Sequence, residues 1–160
     1  MSEELLEQIE KYALEAGTKL EKARKSESTI EVPQEQLKTF LSHLVKDLNV
    51  RHLMTITGLD LGERFEVIYH FTQERDTLHV RTPISKTTPV TISVVDIVPG
   101  AILYEMEVHD MFGITFQGNP WMNRKLILPD NWPDDLPPPL LKSSKPPEIR
   151  KRLGLEAAKQ

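Results

Sequence analysis

Eight of the twelve prolines in this chain of 160 residues lie beyond Gly113: Pro120, Pro129, Pro133, Pro137, Pro138, Pro139, Pro146 and Pro147. Proline has no N–H to give a ladder and clashes with the preceding helical turn, so this part can hold neither a long helix nor a central strand. The regular core has to come from earlier residues. The remainder, 117–160, is expected as an extended, proline-rich tail that closes in a short helix over 148–158. The length suits one domain with a real core and segments outside it.

Ahead of the tail the pattern is regular. Residues 2–25 read as an amphipathic helix, with Leu5, Leu6, Ile9, Tyr12, Ala13, Ala16 and Leu20 at helical spacing and Gly17 weakening its middle. Residues 1–28 are therefore expected as a helical arm, packed on its own domain or on a neighbouring subunit. A polar break at 26–29 precedes a short strand at 30–32. Pro33 then suits the first turn of a helix whose stripe is Leu37, Phe40, Leu41, Leu44, Val45 and Leu48, with Asn49 as its stop. Strands are expected at 52–57, 64–71 and 78–82. In the second, Phe65, Val67, Tyr69 and Phe71 alternate with Glu66, Ile68 and His70, the mark of a half-buried antiparallel sheet. The polar segment 72–77 makes a hairpin. The run 90–98 is apolar and β-branched, and a helix over 101–112 ends at Gly113. Residues 29–116 thus form an α+β core.

The side chains limit the chemistry. A net charge of −4 argues against a nucleic-acid partner. With no cysteine, this chain cannot ligate an iron–sulfur cluster or use thiol catalysis. The N-terminal MSEELLEQIEKY carries no basic segment followed by an apolar run, which points to the cytoplasmic side. Pairing Phe71 with Leu78 would set His70 opposite His79, but two histidines lack the third ligand of a metal site. His109-Asp110 resembles a dipeptide of metal-dependent phosphohydrolases, without the spaced His and Asp set that would complete it. Glu105, Glu107 and Asp110 sit among apolar residues, where a charge is costly unless paired. On a helix 107 and 110 share a face while 105 points elsewhere; the candidate partners are Arg124 or an arginine of another chain. Trp121 and Trp132, on a segment that builds no core of its own, need a surface to lie on. No nucleophile with an adjacent base and no glycine-rich phosphate loop is evident. The chain reads as one that docks.

In order along the chain, Glu105, Glu107, Asp110, Met111, Phe112, Gly113, Ile114, Phe116, Gly118, Pro120, Arg124 and Leu126 match the pattern E-R-E-x-x-D-M-F-G-I-x-F-x-G-H-P-x-x-x-R-x-L. Leu128-Pro129-Asp130 and Trp132 match a following L-P-D-x-W. Pro139, Leu140 and Lys142 fall at a P-L-R-K segment, and Asp60, Glu63 to Val67, Tyr69 and Ser93 match upstream. Residues 30 to 142 therefore resemble the 30-kDa (C-type) subunit of respiratory complex I and its relatives in membrane-bound nickel–iron hydrogenases. Met106, Asn119, Leu141 and Ser143 depart from the pattern at its arginine, histidine, second arginine and following acid. Those departures suggest a divergent branch with an altered partner surface.

The resemblance implies an α+β fold with helices on one face of a mainly antiparallel sheet. It implies a cofactor-free accessory subunit bracing the large catalytic subunit in the hydrophilic arm of a membrane-bound, ion-pumping oxidoreductase. An energy-converting hydrogenase or a related sulfur-reducing complex is favoured by the short chain, the absence of cysteine and the prolines; the 30-kDa subunit of complex I proper is the alternative. A stand-alone metallohydrolase and an unrelated adaptor are the remaining readings. The implied partners are the large catalytic subunit and the iron–sulfur small subunit, which carry iron–sulfur clusters and, in a hydrogenase, a nickel–iron centre. Membrane association is then indirect, at the cytoplasmic face. Glu105, Glu107, Asp110, Phe112, Gly113, Pro120, Trp121, Arg124, Trp132 and Lys142 are the expected interface residues; no catalytic, cofactor-binding or metal-binding residue is expected.

Overall fold

The alternation of Phe65, Val67, Tyr69 and Phe71 builds one face of the sheet around which the rest is assembled: all four are buried. A computed structural model describes residues 3–15, 17–18, 20–24 and 26–155. In chain order the elements are α1 (Glu3–Glu15), β1 (Leu20–Arg24), β2 (Glu27–Glu31), α2 (Gln34–Lys46), β3 (His52–Asp60), β4 (Arg64–Gln73), β5 (Asp76–Ser85), β6 (Val90–Ile92), α3 (Ala101–Phe112), β7 (Thr115–Gln117) and α4 (Pro146–Arg152). Five strands form one sheet in the order β1-β2-β5-β4-β3, antiparallel except for the parallel pair β2–β5. The two short strands β6 and β7 pair in parallel, Val90 with Thr115.

Helices α1, α2 and α3 share the face of Val67 and Tyr69. Leu5, Ile9 and Ala13 of α1 and Leu37, Phe40, Leu41 and Leu44 of α2 join one core with Tyr69, Phe71, Leu78 and Val80. Tyr12 stacks on His43 with ring centroids 4.0 Å apart, so α1 lies on this chain's own α2. α3 packs along β3 at Gly58, where an added Cβ would come within 2.6 Å of the Phe112 ring. Against the opposite face Glu66 is sealed by Arg81, which donates from Nε at 2.9 Å and from a terminal nitrogen at 2.8 Å. The mainly antiparallel α+β architecture with helices on one face is as the sequence predicts.

Several boundaries differ. The N-terminal helix stops at Glu15, because Gly17 takes a left-handed φ of 73° and Thr18 N–H closes on Ala13 O at 2.9 Å. Leu20, expected on that helix, instead starts β1 and pairs with Ile30. The polar break at 26–29 is mostly strand: β2 runs Glu27–Glu31 and fits between β1 and β5 with Ser28 buried. β5 continues through Pro83 to Ser85; its register with β2 ends at Arg81, so the proline lies where the strand has only one neighbour. The terminal helix occupies Pro146–Arg152, and the end of the expected 148–158 span lies outside the described residues. Gly113 (φ 74°) caps α3 as expected, whereas α2 ends at Lys46 with Asp47 as its cap, ahead of Leu48 and of Asn49 with its φ of 61°.

Candidate functional site

α3 is apolar on almost every side, and its two interior acids determine what surrounds it. Glu105 is fully buried and Asp110 is 2% exposed. Glu105 accepts from Val94 N–H at 2.8 Å, from the Ser93 hydroxyl at 2.7 Å and from Asn119 Nδ2 at 2.9 Å. Burial pushes its carboxyl above the ordinary glutamate value, against the downward pull of those three bonds. The cluster ties the segment after β6 and the turn after β7 to the middle of α3. Asn119 extends it, donating also to Ile102 O and accepting from Trp121 N–H.

Asp110 organises the start of the tail. Its Oδ2 accepts from three successive backbone N–H groups, those of Leu126, Ile127 and Leu128, at 2.8, 2.8 and 3.1 Å. These amides have no strand partner, and a carboxylate facing consecutive N–H groups meets the need that the neighbouring prolines create. A third buried acid does the same further on. Asp60 accepts from Lys142 N–H at 2.9 Å, from Gly62 N–H at 2.8 Å and from Lys86 Nζ at 2.7 Å. Burial opposes its ionisation, but the Lys86, Lys142 and Gly62 hydrogen bonds outweigh that and hold its pKa down at about 2. Between the two anchors Leu140 N–H donates to Met111 O, and Pro138 lies 3.1 Å from where a Cβ on Gly113 would be.

The expected interface residues thus divide into two groups. Glu105 and Asp110 are interior and hold this chain's own backbone. Asp110 does not pair with Arg124, whose guanidinium lies 5.7 Å over the Trp121 ring. The expected pairing with Arg124 is corrected accordingly: within this chain the partners of Glu105 and Asp110 are amide and hydroxyl groups. Gly113 is the helix cap, Phe112 is half-buried against Gly58, and Trp132 is half-buried with Nε1 donating to Leu136 O at 3.2 Å. Glu107, Pro120, Trp121, Arg124 and the Lys142 side chain face outward, and Leu103 and Leu140 add exposed apolar surface. Glu107 borders a groove with Thr55, Gly58, Phe112 and Leu140. Two of the departures noted from the family pattern, Met106 and Asn119, are interior, so they alter the core beneath this surface rather than the surface itself.

His70 and His79 do stand opposite each other, with Nδ1 atoms 2.7 Å apart and His70 Nε2 2.9 Å from Thr57 Oγ1. Burial, then the neighbouring His79, lowers the His70 pKa. Among the described residues no group of three or more His, Cys, Asp or Glu is placed to hold a metal ion. In the His109-Asp110 pair, the imidazole Nδ1 lies 3.0 Å from Ile114 O while the carboxylate holds the tail. Asp60 was legible only as a family match. Its local sign is the Asx turn closed by Gly62; its long-range bond to Lys142 has none.

The family described as respiratory-chain NADH dehydrogenase, 30 Kd subunit, matches residues 30–149. The C-type subunit of NADH-quinone oxidoreductase from Acidothermus cellulolyticus is 32% identical over 117 residues, covering 68% of this chain and 60% of that protein. The fused C/D-type subunit from Phocaeicola vulgatus is 38% identical over 107 residues, covering 64% of this chain and 20% of that one. The match therefore spans only part of the length of these relatives. Among solved structures, a chain of the membrane-bound sulfane sulfur reductase, an archaeal respiratory membrane complex, superposes with a TM-score of 0.82 at 27% identity, over 99% of this chain and 95% of that one. The trypsin-resistant fragment of Nqo5 gives 0.65 at 28% identity, over 72% and 98%. Among the described residues no helix is long and apolar enough to cross a membrane.

Proposed function

Because this chain belongs to the family of the 30 Kd subunit of respiratory-chain NADH dehydrogenase, we propose that it is a scaffold subunit in the hydrophilic arm of a membrane-bound, ion-pumping oxidoreductase. It carries no cofactor. It braces the large catalytic subunit, beside an iron–sulfur small subunit, on the cytoplasmic face, and reaches the membrane only through them. Iron–sulfur clusters, and a nickel–iron centre in a hydrogenase, belong to those partners. The observation that carries the reading to a sulfur-reducing or hydrogenase-type complex is the superposition on the sulfane sulfur reductase chain, which extends over nearly the whole of both chains.

In this reading the buried acids work indirectly. Glu105, Asp110 and Asp60 fix the proline-rich segment on the domain, so that Trp121, Leu140 and Glu107 are presented in a set arrangement. A surface ordered in advance loses less conformational entropy on docking. The quinone-linked alternative is favoured by the names of the curated relatives. Assays on the complex retrieved with a tagged chain separate the two. Hydrogen evolution or polysulfide reduction without NADH-dependent quinone reduction supports the proposal; flavin together with NADH:quinone activity supports the alternative. A retrieved complex with none of these activities sinks both.

A further inference from the structure

The sheet ends at β3, the last strand in the order β1-β2-β5-β4-β3. Leu61 N–H bonds to Arg64 O across the turn into β4, which makes Leu61 and Arg64 a hydrogen-bonded pair. Such pairs alternate along an antiparallel ladder. Leu59, Thr57 and Thr55 therefore bond to β4, while Ile56 and Gly58 turn their N–H and C=O groups to the free side. Among the described residues no hydrogen bond reaches those outward groups.

A groove of about 210 Å³ runs along this edge. Four consecutive β3 residues, Thr55 to Gly58, line it, and Gly58 can do so only with its backbone, so the groove reaches the unpaired peptide groups. The other wall is Glu107, Met111 and Phe112 of α3, with Leu140 of the tail. Leu103, Glu107 and Met111 recur every four residues and form the stripe of α3 that the sheet leaves uncovered; Leu103 is 45% and Leu140 55% exposed. Unpaired peptide groups beside an apolar surface are what an added strand needs, a ladder on one side and a floor for its alternate side chains. The stretch 55–59 also lacks the charge or proline that blunts a free edge.

We propose that the β3 edge takes up an extended segment of a partner subunit as a sixth strand. Its length is limited to the stretch 55–59. The register shift between Leu53 and Thr55 lies at one end, and Lys142 N–H, held by Asp60, brings the tail across the other. The side chains it turns towards α3 are apolar, with a lysine or arginine beside Glu107, which has no ion partner among the described residues. A second copy of this chain fits less well, because twofold pairing of two β3 edges would bring two Glu107 carboxylates to one seam. The inference deepens the proposed scaffold role and rests on it for the strand's owner.

Amide exchange, read residue by residue, is compared between the full chain alone and the assembly recovered with the tagged chain from its native membranes. Alone, Ile56 and Gly58 exchange faster than Thr55, Thr57 and Leu59. In the assembly both slow by about tenfold or more, and alternate amides of one partner segment slow with them. An assembly in which Ile56 and Gly58 keep their free-chain rates overturns the inference and leaves the scaffold role standing. Slowing without an alternating partner segment, which is burial rather than pairing, overturns it too, as does slowing by a second copy of this chain. Alternating protection by a partner that is no oxidoreductase subunit upholds the added strand and removes the scaffold role. Recovery of the chain alone, with its edge still fast, removes both.

Discussion

With one oxygen, Asp110 gives Leu126, Ile127 and Leu128 the acceptor that a β-ladder would otherwise supply. Asp110→Ala removes three charge-assisted bonds and should lower unfolding free energy by about 3 kcal/mol. Hydrogen exchange at those three amides should speed up well beyond the global change; unchanged exchange there would show that the carboxylate is not their anchor. Asp60 adds a pH dependence. Its folded pKa of about 2 lies below its ordinary value of 3.8, so the stability it contributes is full above that value and is lost as pH falls towards 2. Urea midpoints should fall over that window, and Asp60→Asn should be less stable at neutral pH with a shallower acid decline. An equally steep decline in the variant would assign it to other groups. Glu105 has the opposite sign: its raised folded pKa favours stability below the ordinary glutamate range and withdraws it as pH rises through the raised value. The sequence made it legible that Glu105 and Asp110 needed partners. It hid which ones, because an acceptor for a backbone N–H leaves no side-chain signature sixteen or more residues away.

At the scale of elements, long periodic segments were legible and weakly patterned ones were not. The stripe of α2 and the alternation of β4 each name a buried face, and both faces are where they were expected. β2 was legible only in part, reading as a break because Ser28 and Thr29 are polar; its place in the sheet comes from lying between β1 and β5, which is a tertiary fact. Likewise Leu20 continued a helical period that Gly17 ends by backbone geometry. Close packing of α3 on β3 yields a sharp test. Gly58→Ala puts a methyl 2.6 Å from the Phe112 ring and 3.0 Å from Val108, so the ring must turn or α3 must lift. A loss of about 1–3 kcal/mol in stability is expected. Phe112→Leu in the same background should recover part of it by freeing space; if Gly58→Ala alone is neutral, the ring yields without strain and the packing is not tight there.

For the whole molecule, the tail over residues 118–145 runs through turns and bends without helix or strand, and nothing in the sequence marks where it attaches. Asp110, Met111 and Asp60 each hold one point of it, leaving Trp121 and Leu140 on the outside. The half-buried Trp132 lies nearer the domain than a free arm would place it, whereas Trp121, 40% exposed, is the more available anchor. Trp121→Ala should therefore weaken incorporation into a complex by an amount typical of an interface hot spot, about 2 kcal/mol, with little change in the melting temperature of the isolated chain. A matched fall in both would show a folding role instead. The scaffold role itself is tested most directly by purifying the tagged full chain from its native membranes under mild detergent and measuring subunit stoichiometry and metal content together. Co-purification of one large catalytic subunit and one iron–sulfur subunit per chain, with iron in the partners, is the expected result. Recovery of the chain by itself, without iron, from membranes in which such a complex remains intact would contradict it.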